Sequence, residues 1–178
     1  MKILKTVFGV MVAVLLFGCQ NSPSLQTYFV DHQEDSDFIG IDIPLSLLKS
    51  KDLELDAEGQ ETLNSIKKMN VLALPYKATN EKKYNSEKKT IQSILQSKDY
   101  QSLMRFGSNG ATVELKYVGK DDVIDEVVVF ANDQRKGLAL VRILGNNIKP
   151  EKIAKLVKSF EKSDIDLKGL SNFSKFLN

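Results

Sequence analysis

The sequence predicts an α+β fold, a mainly antiparallel sheet of about five or six strands with helices packed mostly on one face. Two observations lead to this fold class. In the first half of the chain, segments with apolar residues at helical spacing alternate with period-two or continuous apolar runs. After residue 100, strand-like segments follow one another through short polar connections, which is typical of antiparallel hairpins.

The elements of the first half are bounded by changes of periodicity. They are a helix in 24–35, a strand in 37–44, a helix in 56–69, a strand in 70–75 and a helix over 81–97. The helices carry apolar stripes, which are Leu25, Tyr28, Phe29 and His32 in the first, Leu63, Ile66 and Met69 in the second, and Tyr84, Ile91, Ile94 and Leu95 in the third. In the first strand, the isoleucines recur at period two and therefore share one face.

The second half of the chain predicts a meander of strands followed by helices. The strands are YQSLMRF (100–106), ATVELKYV (111–118), DEVVVFA (125–131) and LALVRIL (138–144). The Asn109-Gly110 pair is a hairpin signal because both residues tolerate positive φ, and the polar run 132–137 predicts a second hairpin. A helix is expected in 151–162, and the last segment, 164–178, is apolar at several positions with Gly169 interrupting it.

The amino terminus has the layout of a signal peptide. Lys2 and Lys5 precede an apolar run from Val7 to Phe17, which is shorter than the roughly 20 residues that a membrane-spanning helix needs. The end of the run, Leu16-Phe17-Gly18-Cys19, resembles a lipobox, at which bacteria attach a lipid to the thiol and cleave before it. Cys19 is therefore the predicted lipidation site, and an ordinary signal peptide with an incidental cysteine is the alternative.

The predicted organisation is a signal peptide at 1–18, a lipidated tether at 19–24 and a single domain at 25–178. Two of the 25 basic residues, Lys2 and Lys5, belong to the signal. The rest of the chain therefore carries 23 basic and 23 acidic side chains. A balanced charge without a basic cluster predicts no nucleic-acid partner. Because Gln20 rather than an aspartate follows the cysteine, and no acidic cluster follows, we expect the periplasmic side of the outer membrane.

The residues that usually carry catalysis are few. His32 is the only histidine and Cys19 the only cysteine, so neither a closed zinc site nor a disulfide is predicted, and no cofactor is expected. We expect His32 to be a surface or interfacial residue rather than a member of a triad. Sequence motifs of the α/β-hydrolase elbow and of zinc proteases are also missing from the sequence.

Two groups of residues remain as weak candidates for a ligand or partner surface. The acidic group Asp121, Asp122, Asp125 and Glu126 could bind Ca²⁺ or act as an acid–base pair. It lacks the spacing of a calcium loop, and Val123 and Ile124 at its centre look like core residues, so a solvated turn is the favoured interpretation.

The second group is Phe173 and Phe176 near the end of the chain. Their side chains could pack on the sheet, cover a groove, or contact a partner or membrane surface. Packing on the fold is the default interpretation, because apolar side chains of this size are usually buried.

Several of these segments together resemble a known family. FIGIDIPLSLL (38–48), YQSLMRFGSNGATVELKYVG (100–119) and DDVIDEVVVFANDQRKGLALVRILGNNIKPEKIAKLV (121–157), after a lipobox, are similar to the lipoproteins of the domain of unknown function 4252 (DUF4252) family of Bacteroidota-type bacteria. The resemblance covers nearly all of the chain after the signal. It implies a lipoprotein signal and an α+β domain, and it transfers no catalytic residues.

The expected function is therefore a bacterial envelope lipoprotein with a non-catalytic binding or scaffolding domain. It would be held to the membrane through the lipid on Cys19 and could contact an envelope protein. One alternative, which rests on the resemblance, is an envelope-sensing regulatory lipoprotein linked to an extracytoplasmic-function sigma system. A further alternative is a hydrolase that uses acidic residues such as Asp122, Asp125 or Glu126.

Overall fold

The computed structural model describes residues 24–43, 56–108, 110–120, 123–149 and 152. The helices among them are α1 (Leu25–His32), α2 (Ala57–Ser65) and α3 (Glu81–Leu95), with a short 3₁₀ turn at Ala78–Asn80. The strands are β1 (Ile39–Ile43), β2 (Ile66–Pro75), β3 (Gln101–Ser108), β4 (Ala111–Lys120), β5 (Val123–Asp133) and β6 (Gly137–Ile148). Their order along the chain agrees with the predicted order over the described residues.

All six strands form one sheet in the order β1-β2-β6-β5-β4-β3, and every neighbouring pair is antiparallel. The α+β class and the mainly antiparallel sheet are thus confirmed. As predicted, a hairpin joins β3 to β4, where Ser108 pairs with Ala111 and Gly110 has a φ of 88°. Glycine adopts this left-handed conformation without the steric cost that a Cβ would bring.

Two apolar clusters cover the two faces of the sheet. On the first face, α1 and α3 pack on alternate residues of the three central strands, among them Leu72 of β2, Leu140 of β6 and Phe130 of β5. On the second face, Leu63 of α2 packs with residues of the opposite alternation, such as Val71. Because successive strand residues point to opposite faces, central strands covered on both sides read as nearly continuous apolar runs.

The local sequence explains where the first two helices begin. The Ser24 side chain accepts a hydrogen bond from the Thr27 amide at 3.1 Å and caps α1. Asp56 caps α2 in the same way by accepting from the Gly59 amide at 2.7 Å. Such side chains satisfy amides that have no partner inside the first helical turn.

The predicted helix in 56–69 was too long. It ends at Ser65, and Ile66 and Met69 belong to β2. The three-residue spacing of Leu63, Ile66 and Met69 fits a helix, but β2 pairs with β1 on one side and with β6 on the other. Strand pairing on both sides supplies the backbone hydrogen bonds of this segment, so tertiary context decides against the local helical pattern.

Candidate functional site

A buried ion pair lies on the first face of the sheet. Glu126 of β5 and Arg142 of β6 form an ion pair, in which Arg142 Nη2 lies 2.8 Å from Glu126 Oε2. Only 12% of the Arg142 side chain and 9% of the Glu126 side chain are exposed. Tyr100, just before β3, donates its hydroxyl to the other carboxylate oxygen of Glu126 at 3.3 Å. We call these three residues the arginine network.

Strand register brings the pair together. Glu126 lies opposite Leu144 and Arg142 lies opposite Val128, so the two charged residues are diagonal neighbours on one face. An irregularity of the β5–β6 ladder falls between Ile124 and Glu126 and locally shifts this register. The interpretation of Glu126 as part of a solvated turn was therefore wrong, because Glu126 lies inside β5 and shares the buried first face with Val128 and Phe130.

The arginine network has little capacity for acid–base chemistry. Both carboxylate oxygens of Glu126 accept hydrogen bonds, one from a guanidinium and one from a phenol. Burial, and next to it the charge of Glu126, raise the pKa of Tyr100 well above its ordinary value, so its hydroxyl stays protonated and donates. A carboxylate whose two oxygens both accept hydrogen bonds from protein side chains holds its neighbours in position.

A cavity of about 40 Å³ lies beside Arg142, between α1 and the strands β1, β2 and β6. Its polar lining includes Gln26, Asp42, Lys68 and Asn70. The charges of Lys68 and Arg142 are offset by those of Asp42 and Glu126, with which they form ion pairs. A space of this volume can hold a few water molecules, and its balanced lining selects neither anions nor cations.

A second cluster joins α1 to α3. His32 stacks on Tyr28 with ring centroids 4.1 Å apart, and its Nε2 lies 3.3 Å from Glu87 Oε2. The same carboxylate oxygen accepts from the Tyr28 hydroxyl at 2.9 Å. His32 therefore lies at a helix–helix interface, which is one of the two environments predicted for it. The contacts of His32 in this cluster include no serine or cysteine nucleophile.

The turn between α1 and β1 is fixed by Lys83 of α3. Its ammonium lies 2.8 Å from Asp35 Oδ2 and 2.7 Å from Asp37 Oδ2, and it sits 5.5 Å from the centroid of the Phe38 ring. The hydrogen bond from Lys83 holds the pKa of Asp35 below its usual range. These contacts attach the entry of β1 to α3.

An apolar surface that the described residues leave exposed lies at the other end of the sheet, on the edge strand β3. Leu103, Met104 and Phe106 are neighbours there, and 37%, 47% and 53% of their surfaces are exposed. Arg105 between them is 66% exposed and contacts Glu114 through its Nε at 3.5 Å. We call these four consecutive residues, 103–106, the β3 edge surface.

The structure brings few of the predicted site residues together. Asp125 is exposed at the start of β5, and its neighbour Glu126 is buried and paired. Val123, expected in the core, is 48% exposed, whereas Ile124 is buried as expected. Cys19, Asp121, Asp122, Phe173 and Phe176 lie outside the described residues.

The described residues contain neither a metal-binding cluster nor a membrane-spanning helix. No group of three or more histidine, cysteine, aspartate or glutamate side chains is placed to hold a metal ion there. Nor does any helix among those residues have the length and apolar character required to cross a membrane.

The sequence contains a weak signal for the β3 edge surface. In the run Leu103-Met104-Arg105-Phe106, Leu103 interrupts the alternation of apolar and polar residues that an edge strand with one solvated face normally shows. A strand with such a run is either buried on both faces or exposes apolar side chains. Only the strand order, with β3 at the end of the sheet, distinguishes these two cases.

The comparison with known families identifies the domain. The model of the family described as Domain of unknown function (DUF4252) matches residues 28–156, which is most of the chain. The chain belongs to this family. The matched range includes the six strands that the structure describes in this DUF4252 domain, and hence both the arginine network and the β3 edge surface. No curated protein and no solved structure matches the chain.

Proposed function

We propose that this DUF4252 protein is a bacterial envelope lipoprotein whose domain is a non-catalytic binding or scaffolding module. The lipid on Cys19 would hold it at the periplasmic side of the outer membrane, and the domain would bind an envelope protein. The observation that supports this function is the β3 edge surface, because exposed neighbouring apolar side chains on an edge with which no other described strand pairs mark interaction sites.

The contacts of the described acidic residues favour binding over catalysis. The buried carboxylate Glu126 is shared between an arginine and a tyrosine, and Glu87 is shared between His32 and Tyr28. Groups engaged in this way stabilise the fold. Asp125, the other described member of the acidic group, lies on the surface next to Glu126 but does not share its pairing with Arg142.

The anchor is tested by metabolic labelling with a clickable palmitate analogue in a bacterium that processes lipoproteins. The native protein should incorporate the label and sediment with the outer membrane. Cys19→Ala should lose the label and leave the membrane fraction. Labelling that survives this substitution would contradict lipidation at Cys19.

Binding is tested by a photoreactive phenylalanine introduced at position 106 of the full-length protein in native envelopes. The matched control carries the same group at Val30, which is 59% exposed on α1. Crosslinked adducts specific to position 106 are expected, and Phe106→Asp should abolish binding of the same partner. Equal adducts at both positions would count against the proposal.

The same proteins can decide between a binding module and the hydrolase alternative. Purified protein lacking the signal is assayed against a broad panel of ester, amide, glycoside and phosphoester substrates. We expect no turnover that depends on a single residue. Turnover that disappears in Asp122→Asn or Asp125→Asn while the free energy of unfolding stays constant would establish the hydrolase function instead.

A further inference from the structure

We infer that the partner contributes an extended segment that adds to β3 as a seventh strand, with an acidic side chain opposite Arg105. This inference rests on the proposed binding function and specifies the chemistry of the partner. The occupant is thus an extended peptide in which apolar residues alternate with acidic ones.

The backbone along the outer edge of β3 suits strand addition. β3 is the last strand of the sheet and pairs only with β4 among the described strands. It runs for eight residues, from Gln101 to Ser108, and its residues 101–107 are all exposed. An edge of this length presents a row of amide and carbonyl groups that another chain can pair with, which is how strand addition recognises extended peptides.

On the second face of the sheet, an apolar stripe reaches the edge strand β3. Met104 lies opposite Leu115, and Phe106 lies opposite Val113, so an apolar stripe continues from β4 onto β3. The stripe stops at β3 with about half of each of these two side chains exposed. A seventh strand with apolar residues at alternate positions would continue the stripe and bury both side chains.

On the first face of the sheet, β3 carries an exposed positive charge. Arg105 lies opposite Glu114, whose carboxylate it contacts through Nε, and the side chain remains 66% exposed. A guanidinium has a planar fork of donors that matches a carboxylate. An aspartate or glutamate on the added strand, on the outer side of Arg105, would complete a row of alternating charges across three strands.

The charge of Arg105 also disfavours a second copy of this chain as the occupant. In an antiparallel pair of two β3 strands, the register that packs Met104 against Phe106 of the other copy is centred on Arg105. The two arginines would then lie directly opposite each other, and like charges in that position are destabilising. A partner strand with an acid at this position avoids the repulsion.

The experiment uses the photoreactive phenylalanine at position 106 of the full-length lipidated protein in native envelopes, with the crosslinked peptide identified by mass spectrometry. The expected adduct joins position 106 to a segment of a different protein with apolar and acidic residues in alternation. Arg105→Glu should lower its yield at least tenfold, and Arg105→Lys should retain most of it. The matched control is Lys82→Glu, a charge reversal at an exposed residue of α3, which should leave the yield unchanged.

A second measurement distinguishes strand addition from side-chain docking. A synthetic peptide with the sequence of the crosslinked segment is titrated into the domain, and amide hydrogen exchange is followed by mass spectrometry. Exchange over 101–107 should slow at least tenfold in the complex. Unchanged exchange in the presence of saturating peptide would overturn strand addition.

The remaining outcomes are also decisive. A crosslink to a second copy, or to residues 153–178 of the same chain, overturns the inference, because these occupants differ from the one proposed. If Phe106→Asp abolishes binding but Arg105→Glu does not, the acidic strand is wrong while the binding function stands. If position 106 gives no more adducts than position 30, the binding function itself fails.

Discussion

The two edges of the sheet differ in length, burial and charge pairing. The β1 edge has five residues, and Ile43 at its end is only 7% exposed within the second apolar cluster. Asp42 in the same strand lies 3.7 Å from the ammonium of Lys68 and accepts a hydrogen bond from Asn70. The β3 edge has eight residues and exposes Met104 and Phe106.

This difference indicates different roles for the two edges. Proteins commonly protect an edge strand by making it short, by placing charges on it or by covering it with other elements. The β1 edge combines the first two devices, and α1 and the turn bound by Lys83 lie beside it. The β3 edge is longer and carries a single charged residue, Arg105, and beyond the irregularity near Leu103 its residues 104–108 keep an unbroken register, so it retains the capacity to pair.

The largest loss of stability is expected from a change in the arginine network, whose ion pair joins the neighbouring strands β5 and β6. Glu126→Gln removes the counter-charge of Arg142 inside the fold. Leaving one member of a buried pair without its partner should lower the free energy of unfolding by about 3 kcal/mol. Urea denaturation of the domain, followed by circular dichroism, measures this change.

The control for that prediction replaces both members of the pair. Glu126→Leu combined with Arg142→Met should cost about 1 kcal/mol or less, because an apolar pair of similar volume leaves no uncompensated charge. If the single variant had the stability of the native domain, the pair would not contribute to the fold, and Glu126 would be available for another role.

The next prediction tests the two edges directly by truncating one apolar side chain on each. Ile43→Ala should destabilise the domain by about 2 to 3 kcal/mol, because it removes a buried side chain from a packed cluster. Phe106→Ala should change stability by about 0.5 kcal/mol or less, because the ring is largely exposed. Equal losses at both positions would show that the β3 edge is covered in solution.

A smaller effect is expected from the polar contact on the β1 edge. Asp42→Ala removes the acceptor of the Asn70 amide, and Asn70 is buried. A buried donor without an acceptor should cost about 1 to 2 kcal/mol. Arg105→Ala on the opposite edge breaks an exposed ion pair and should cost about 0.5 kcal/mol or less. The same urea titrations measure both, and a larger loss for Arg105→Ala would reverse the ranking of the edges.

The sequence allowed much of the fold to be predicted because its patterns were local. The third helix, with Tyr84, Ile91, Ile94 and Leu95 buried, required only an apolar stripe at helical spacing. The hairpin at Gly110 required only a residue that accepts positive φ. Both signals act within a few residues, so no tertiary information was needed.

The errors arose where a partner distant in sequence decides the outcome. Glu126 was expected in a solvated turn because Asp125 and the acidic residues before it dominate that stretch. Its counter-charge, Arg142, follows 16 positions later and reaches it only through the β5–β6 register. The exposure of the β3 edge likewise depends on strand order, which local patterns do not encode.

The smallest effect is expected in acid, and it concerns the entry to the β1 edge. The pKa of Asp35 is lowered, first by its hydrogen bond to Lys83 and then by the Asp37 amide. A carboxyl group with a lowered folded pKa stabilises the fold above its unfolded pKa, near 4, and this contribution is lost as the pH falls through the folded value. The pKa of Lys83 is raised by the same contact, so its contribution is lost only in strong base.

Acid should therefore loosen the β1 side of the molecule before the β3 side. Between pH 6 and pH 3, amide exchange corrected for its intrinsic pH dependence should accelerate in residues 33–43 and remain constant in residues 111–120. Asp35→Asn removes the titrating group, so its exchange in 33–43 should already be faster at pH 6 and should change little on acidification. If β4 loosened first, the contacts of Lys83 would not be what holds the β1 edge in place.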